Sequence, residues 1–199
     1  MQGKRILLAA MSGFAALSFA TSAFAIMSAP YGWYVEANAG SAKLSNKSYP
    51  GSSSSSGIGG NVNLGYKFMP YMAAEIGYSQ YPNTSIKDPA GTKAGTDKHY
   101  SYDIAAKGIL PIACSGAEAF AKLGVGRLVD KISINNSAAA TSIGLGSASH
   151  SATGLYMAVG AQYYFMPEMA VVAQWARVQG NSSTGNEDLL SGGVSFIFD

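Results

Sequence analysis

Residues 31–40 read YGWYVEANAG, a stretch in which apolar and polar side chains take turns. Apolar side chains occupy every second position from Trp33 to Ala39, and Glu36 and Asn38 are among those between them. A repeat of two places successive side chains on opposite sides of a β-strand, so this strand has one apolar and one polar face. The apolar face points either into a protein core or outward into lipid.

The composition of the whole chain favours a sheet that is covered on both faces. Charged residues make up 12% of the 199 residues, whereas about a quarter is typical of soluble domains. Beyond the N-terminal region, the chain has no run of about 18 apolar residues of the kind that forms a membrane helix. If the chain spans a membrane, it must do so as a closed barrel, because only helices and barrels satisfy their backbone polar groups in lipid.

The first 25 residues have the features of a secretory signal peptide. Lys4 and Arg5 precede an apolar run over residues 6–20, and Ala23-Phe24-Ala25 forms a cleavage site of the A-x-A type. We therefore predict a signal peptide over residues 1–25 and one mature domain over residues 26–199, with a retained signal anchor as the alternative. Cys114 is the only cysteine, so no internal disulfide is expected.

The two-residue alternation recurs along the chain and predicts eight strands of about ten residues each. They cover residues 31–41, 58–68, 71–81, 100–110, 117–129, 152–165, 169–179 and 189–198. At about 3.3 Å per residue and a tilt near 45°, such strands cover about 23 Å, close to the apolar band of an outer-membrane barrel. Short turns alternate with longer loops rich in Ser, Asn and Gly, of which residues 52–56 and 135–142 are predicted to be mobile.

Charges in the middle of the predicted strands share one face. They comprise three acidic and three basic residues: Glu36, Lys67, Glu75, Asp103, Lys107 and Lys122. An eight-stranded barrel has room inside for side chains only, so we predict that these residues form an ion-paired polar lumen. A gate that opens to pass ions is the alternative to a static polar core.

The opposite face is aliphatic in the middle and aromatic near both ends, as in the girdles of membrane barrels. We therefore predict that Trp33, Val35, Ala37 and Ala39 contact lipid. The predicted fold class is all-β, an eight-stranded antiparallel up-and-down transmembrane β-barrel. A secreted lipocalin-like barrel with reversed faces is the alternative.

Four segments carry a resemblance to a known family: GWYVEANAG (32–40), AAEIGY (73–78), AKLGVGR (121–127) and the terminal GGVSFIF (192–198). With them the chain resembles the OmpA-like and OmpX-like eight-stranded outer-membrane barrels over essentially the whole mature region. The resemblance implies that Phe198, which Asp199 follows, belongs to the signal read by the barrel-assembly machinery. We expect a barrel domain only, without the peptidoglycan-binding domain of some relatives.

His99-Tyr100-Ser101 is the one arrangement that looks catalytic, since residues two apart share a strand face and a histidine can activate a serine. It resembles the His-x-Ser of lipid A deacylases, which are also eight-stranded barrels. Ser101, however, has the same parity as Asp103 on the lumen side, away from acyl chains in the membrane. We therefore interpret His99 as a rim histidine, and we expect no catalytic residues, no metal site and no cofactor.

Arg127 and Arg177 have the parity of the lipid-facing side and lie near the predicted long loops. They are interpreted either as rim residues that snorkel toward water or as contacts for lipid A phosphates.

The sequence therefore predicts a non-enzymatic protein of the outer membrane of a Gram-negative bacterium, with extracellular long loops and both termini in the periplasm. Its expected role is to contribute to envelope integrity and to display surface loops. The alternatives are an adhesin or host-interaction protein that acts through those loops, a lipid A-modifying enzyme and a small pore. Expected partners are outer-membrane lipids and lipopolysaccharide, the barrel-assembly machinery, and a host or surface ligand, but not nucleic acid.

Overall fold

The computed structural model of the protein describes residues 31–47, 49, 52–53, 56–112 and 115–198. The predicted signal peptide, Cys114, Asp199 and part of the 52–56 segment lie outside these residues. The elements, in chain order, are β1 (Gly32–Ser45), β2 (Ser52–Ser53), β3 (Ser56–Met69), β4 (Met72–Gln80), β5 (Thr84–Lys87), β6 (Lys93–Ile112), β7 (Ala117–Ile134), α1 (Ser137–Ser142), β8 (Ala148–Tyr164), β9 (Met169–Val178) and β10 (Asn186–Phe198).

The eight long strands form a closed antiparallel ring in the order β1, β3, β4, β6, β7, β8, β9, β10. The ring closes between the first and last strands, where the register runs from Trp33 opposite Phe198 to Ser45 opposite Asn186. Every long strand is paired on both sides, so the described ring leaves no open sheet edge in its middle. The ring confirms the predicted eight-stranded up-and-down barrel.

Exposure alternates along each strand and separates a lipid side from a lumen side. In β1, Trp33 and Val35 are exposed, whereas Tyr34 and Glu36 between them are buried. The outside of the other strands is equally apolar; Leu123, for example, is 62% exposed. An apolar surface of this extent fits the hydrocarbon core of a bilayer, and the outward orientation predicted for the opening stretch is confirmed.

Aromatic side chains border the apolar exterior at both ends. Near the long loops, Tyr78, Tyr100 and Tyr102 pack together with ring centroids 5.4–6.2 Å apart. Beyond these tyrosines the outward side chains of β6 and β7 include the exposed Lys98 and Lys131, which marks the end of the apolar belt. We call the barrel between the two aromatic borders the span. The exposed aromatic residues near the short turns include Trp33, Tyr66, Phe68, Tyr163, Phe165, Phe196 and Phe198.

The strands continue past their predicted ends on the long-loop side. β6 begins at Lys93 rather than at residue 100, and β7 ends at Ile134 rather than at residue 129. These predicted boundaries are wrong because water, not lipid, covers the outside above the span, so the apolar half of the alternation disappears. β5 pairs with β6, and β2 pairs with β5, which extends this wall of the barrel beyond the ring.

Within the segment 135–142, which the sequence predicts to be mobile, residues Ser137–Ser142 form a helix. The side-chain oxygen of Asn136 accepts hydrogen bonds from the backbone N–H groups of Ala138 and Ala139, which caps the N-terminus of α1. Among the described residues, no helix is long and apolar enough to cross a membrane. The apolar cluster that holds α1 against the extended strands comprises Ile86, Ala94, Ala139, Ala140 and Leu145.

Candidate functional site

Four charged side chains from four strands meet in the middle of the lumen, and we call them the central ionic ring. Lys107 Nζ lies 3.3 Å from Glu36 Oε2 and 3.2 Å from Glu75 Oε1. Lys122 Nζ lies 3.1 Å from Glu36 Oε1 and 2.7 Å from Glu75 Oε2. Positive and negative groups therefore alternate around a closed ring in which no residue is more than 3% exposed. Complete pairing of this kind is what a buried charge requires.

Neighbouring polar groups fix the two carboxylates of the ring. Glu36 Oε1 accepts hydrogen bonds from Asn38 Nδ2 at 2.9 Å and from Asn63 Nδ2 at 3.1 Å. Glu75 Oε1 accepts a hydrogen bond from the hydroxyl of Tyr34. Each carboxylate thus has partners besides the lysines, so the ring belongs to a larger buried network.

An aromatic ring and a glycine shape the space around the lysines. The ring centroid of Phe120 lies 4.4 Å from Lys107 Nζ and 5.2 Å from Lys122 Nζ, within the range of cation–π attraction. Tyr34 crosses the lumen over Gly65, where an added Cβ would lie 2.3 Å from Tyr34 Cζ. A glycine is therefore needed at position 65 for the tyrosine to reach Glu75.

The other two predicted lumen residues lie in separate places. Lys67 Nζ pairs with Glu118 Oε1 at 3.0 Å, and Gln162 joins this pair to the ring by donating to Glu118 Oε2 and accepting from Lys107. Asp103 is 8% exposed and makes no ion pair within the described part of the chain. The structure thus places all six residues inside the barrel, in three groups rather than one.

Apolar side chains pack in the lumen above the central ionic ring, beside buried polar residues such as Ser101, Asp103 and Gln174. Below this packing, the free space beside Lys67 and Lys107 is a cavity of about 10 Å³, close to the volume that one water needs. The apolar layer, which we call the septum, comprises Ala42, Tyr81, Ala105, Leu128, Tyr156, Ala158, Ala176, Val178 and Leu189.

A second buried set of charges lies above the septum and outside the span, and we call it the upper ionic cluster. Lys47 Nζ lies 2.7 Å from Asp97 Oδ2 and also contacts Asp130 Oδ2. His99 Nδ1 lies 3.6 Å from Glu187 Oε1. Lys47 therefore ties the loop after β1 to the inner faces of β6 and β7.

The carboxylate of Glu187 is short of partners in this cluster. Its Oε2 is buried without a hydrogen-bond partner in the described structure. Burial, reinforced by the neighbouring carboxylate of Asp188, raises the pKa of Glu187 to about 8. Burial also lowers the pKa of His99, which keeps this imidazole neutral at physiological pH. Within the described ranges, no group of three or more His, Cys, Asp and Glu residues is arranged to hold a metal ion.

The interpretation of His99 as a rim histidine is wrong, because His99 is completely buried on the lumen side of β6. It lies inside because β6 already begins six residues before it, at Lys93. His99 Nε2 lies 3.2 Å from the hydroxyl of Tyr49, whereas Ser101 Oγ lies 3.2 Å from the hydroxyl of Tyr81. The two side chains have different partners and neither reaches the lipid side.

Arg127 and Arg177 lie on the outside of β7 and β9, as their parity predicts. Arg127 is exposed and donates a hydrogen bond to Ser151 Oγ at 2.9 Å. Arg177 is already paired with a carboxylate, since its Nε lies 3.3 Å from Asp188 Oδ1. The structure therefore does not bring the two arginines together, and only Arg127 is without an acidic partner among the described residues.

The chain belongs to the outer membrane protein beta-barrel domain family, which matches residues 6–198. The layered lumen and apolar exterior are thus those of an outer-membrane barrel of Gram-negative type. Curated proteins gave no match.

Solved structures of three outer-membrane proteins have the same fold. Neisserial surface protein A is 21% identical, with 83% of this chain and 97% of that chain covered and a TM-score of 0.58. OprG of Pseudomonas aeruginosa is 16% identical, with 87% and 99% covered and a TM-score of 0.55. The attachment invasion locus protein Ail of Yersinia pestis, in complex with the heparin analogue sucrose octasulfate, is 17% identical, with 83% and 99% covered and a TM-score of 0.51.

Sequence reasoning missed the upper ionic cluster and Glu118. One parity along β6 is shared by Asp97, His99, Ser101 and Asp103. Continuing the alternation toward the start of the strand would therefore have predicted that Asp97 and His99 point into the lumen. Lys47, in contrast, comes from a loop without periodicity, and no pattern in the sequence points to its partners.

Proposed function

We propose that this protein is a non-enzymatic structural barrel of the outer membrane, which contributes to envelope integrity and displays its long loops on the cell surface. The observation that carries the proposal is the closed central ionic ring of Glu36, Glu75, Lys107 and Lys122. A lumen filled by mutually paired charges and, above them, by the side chains of the septum favours a rigid, plugged barrel over a transport path.

The proposed orientation puts the long loops outside the cell and both termini in the periplasm. Bacterial barrels have short periplasmic turns and longer extracellular loops, and β3 and β4 are joined by a short turn at one end. The upper ionic cluster would then face the exterior. Lipids of the outer membrane are the surrounding partner, and the barrel-assembly machinery would act on β10 during biogenesis.

A deletion strain tests the proposed role. Loss of the protein should increase entry of a hydrophobic dye or a bile-salt-type detergent into cells, and expression of the wild-type chain should reverse the increase. Expression of a Lys107→Met/Lys122→Met variant, which lacks both cations of the central ring, should reverse it poorly. An unchanged barrier in the deletion strain would contradict a role in envelope integrity.

An adhesin that acts through its loops is the second candidate, favoured by the ordered structure above the span. The cluster around α1 gives the loop end its own small apolar core, which a fixed binding surface would need. Ail, a protein with the same fold, binds a sulfated sugar analogue, so sulfated glycans are one ligand class to test. Removal of residues 137–142 with folding retained should abolish cell attachment but leave the permeability barrier intact if this second function operates.

A lipid A-modifying enzyme is the least supported alternative. The hydroxyl of Ser101 is buried against Tyr81, far from the lipid side. A Ser101→Ala variant should therefore leave the lipid A profile of the cell unchanged, as read by mass spectrometry. A small pore is also poorly supported, because side chains of the septum and of the central ionic ring fill the lumen.

Lipid A is also the proposed contact of the rim arginines. Arg127 is exposed beside the tyrosine border, where headgroup phosphates lie, whereas Asp188 already compensates Arg177. An Arg127→Gln change should therefore weaken stabilisation by lipopolysaccharide more than Arg177→Gln. Equal stabilisation of both variants and wild type would leave the arginines as snorkelling rim residues.

A further inference from the structure

Two lysines face each other on the outer surface, directly above the tyrosine border. Lys98 on β6 is the cross-strand partner of Lys131 on β7, and both side chains are exposed on the outward side. Like charges directly opposite one another in an antiparallel sheet are unfavourable. Such a pair is stabilised when an anion lies between the two ammonium groups.

The nearest carboxylates cannot supply that anion. Asp97 and Asp130 adjoin Lys98 and Lys131 in sequence, but alternation turns both carboxylates into the lumen. There they are engaged by Lys47, which lies buried between them. Because Lys47 pairs with both Asp97 and Asp130, Lys98 and Lys131 have no ion-pair partner among the described residues.

A third cation lies on the same outer face, closer to the span. Arg127 is four residues from Lys131 on β7, which corresponds to about 13 Å along the strand. Its cross-strand partner is Tyr102, and Lys131 Nζ lies 5.9 Å from the ring centroid of Tyr100. The cations thus border the aromatic patch that marks the membrane interface.

The side chains around these cations are hydrogen-bond donors without charge. On β8, Thr153 is the cross-strand partner of Arg127, and Ser149 is the partner of Lys131, although the Ser149 hydroxyl already donates to the backbone oxygen of Asp130 at 3.3 Å. Ser151 lies between them and already accepts a hydrogen bond from Arg127. Hydroxyl donors beside a guanidinium and two ammonium groups match the many acceptor oxygens of phosphate.

We propose that Lys98, Lys131 and Arg127 form a binding site for a membrane lipid whose headgroup carries two phosphates, of the lipid A class. One phosphate lies between Lys98 and Lys131, the other lies at Arg127, and the acyl chains lie along the apolar face of β6 and β7. This inference rests on the proposed orientation of the long loops toward the outer leaflet. It replaces Arg177 by the two lysines as the partners of Arg127.

The test uses the full mature barrel refolded in phosphatidylcholine vesicles, with and without lipid A, and reads the thermal unfolding midpoint as the lipid fraction rises. Diphosphoryl lipid A should raise the midpoint more than monophosphoryl lipid A, and more than phosphatidylglycerol at equal charge. A Lys98→Gln/Lys131→Gln variant should bind diphosphoryl lipid A about tenfold more weakly, since it loses two charged contacts. Inorganic pyrophosphate in the buffer should reproduce little of the effect, because a site at the membrane interface selects a lipid-borne phosphate.

A Lys43→Gln/Lys87→Gln variant is the matched control, since it removes two exposed lysines from the same end of the barrel. It should respond to lipid A as the wild type does. If both double variants lost the same part of the lipid A response, the effect would be general charge attraction, which would overturn the site. A full lipid A response in the Lys98→Gln/Lys131→Gln variant would also overturn it. Localisation of the wild-type protein outside the outer membrane would instead overturn the proposed function, whatever the vesicles show.

Discussion

The ammonium group of Lys122 lies 2.7 Å from Oε2 of Glu75, and both side chains are closed off from solvent at the centre of the barrel. Lys122 also holds Glu36, so one cation serves two buried carboxylates. Removing it leaves these carboxylates with Lys107 as their only shared cation in the ring.

We therefore expect Lys122→Met to lower the free energy of unfolding by about 3–5 kcal/mol, the range for breaking a buried ion pair. Urea unfolding of the refolded barrel in detergent or vesicles measures this change. A Lys122→Met/Glu75→Gln double variant restores charge balance and should recover part of the loss. Lys87→Met, at an exposed lysine, is the control. A loss no larger than that of the control would contradict the role assigned to the ring.

The septum gives a second prediction, which concerns conductance. The lumen between the two sets of charges is filled with buried side chains, among them Leu128, Tyr156 and Leu189, as expected for an eight-stranded barrel. Purified wild-type protein in planar bilayers should show little steady conductance. Frequent, stable openings of large conductance would show that the charged lumen works as a gate.

Gly65 gives a packing prediction. A Gly65→Ala change places a methyl group against the ring of Tyr34, which must move away from Glu75. We expect a loss of about 1–3 kcal/mol of stability, the usual cost of overpacking. Gly192→Ala is the matched control, because an added Cβ there meets only Val172 O, at 3.6 Å. Urea unfolding of the two variants side by side distinguishes them; similar losses would mean that the cost belongs to the strand and not to the tyrosine contact.

Glu187 makes stability depend on pH. Its pKa is raised to about 8 in the folded protein, so between its ordinary value and about 8 the folded state holds a proton that the unfolded state has lost. The stability contributed by this proton is fully present below that window and is lost as pH rises through about 8. The lowered pKa of His99 keeps that imidazole from titrating between about pH 7 and pH 9.

Thermal unfolding between about pH 7 and pH 9 should therefore show a steeper fall for the wild type than for Glu187→Gln, which cannot ionise. Across this interval the wild type should lose about 1 kcal/mol more than the variant, and the difference should level off above about pH 8, where Glu187 is ionised in both states. Parallel curves for the two proteins would mean that Glu187 ionises normally in the folded state.

Much of the fold follows from the alternation itself. A period of two fixes which face of a strand each residue occupies, so the inward position of Glu36 and the outward position of Trp33 were predictable. The ends of the strands were less predictable. Above the span, water covers the outer face, so outward positions there carry polar residues such as Lys98, and the sequence resembles that of a loop. The helix at Ser137–Ser142 had a readable signal in Asn136, an N-cap residue before a run of alanines.

Pairings within the site lay beyond the sequence. That Lys67 meets Glu118 and not Glu36 depends on strand register and tilt around the ring, which alternation does not specify. The pair of Arg177 and Asp188 has the same origin, since it joins neighbouring strands in a register set by the closed barrel. Parity shows that charges share a lumen, but the three-dimensional stagger decides which of them touch.

Site-specific labelling in intact cells tests the central claim most directly, namely that this is an outer-membrane barrel with its long loops outside. Two single-cysteine variants in a Cys114→Ser background are needed: Gly146→Cys in the exposed β7–β8 loop, and Glu168→Cys in the exposed short turn before β9. A membrane-impermeant maleimide should label the first variant in intact cells, and the second only after the outer membrane is permeabilised. Labelling of position 168 in intact cells, or of neither position until the cells are lysed, would contradict the account.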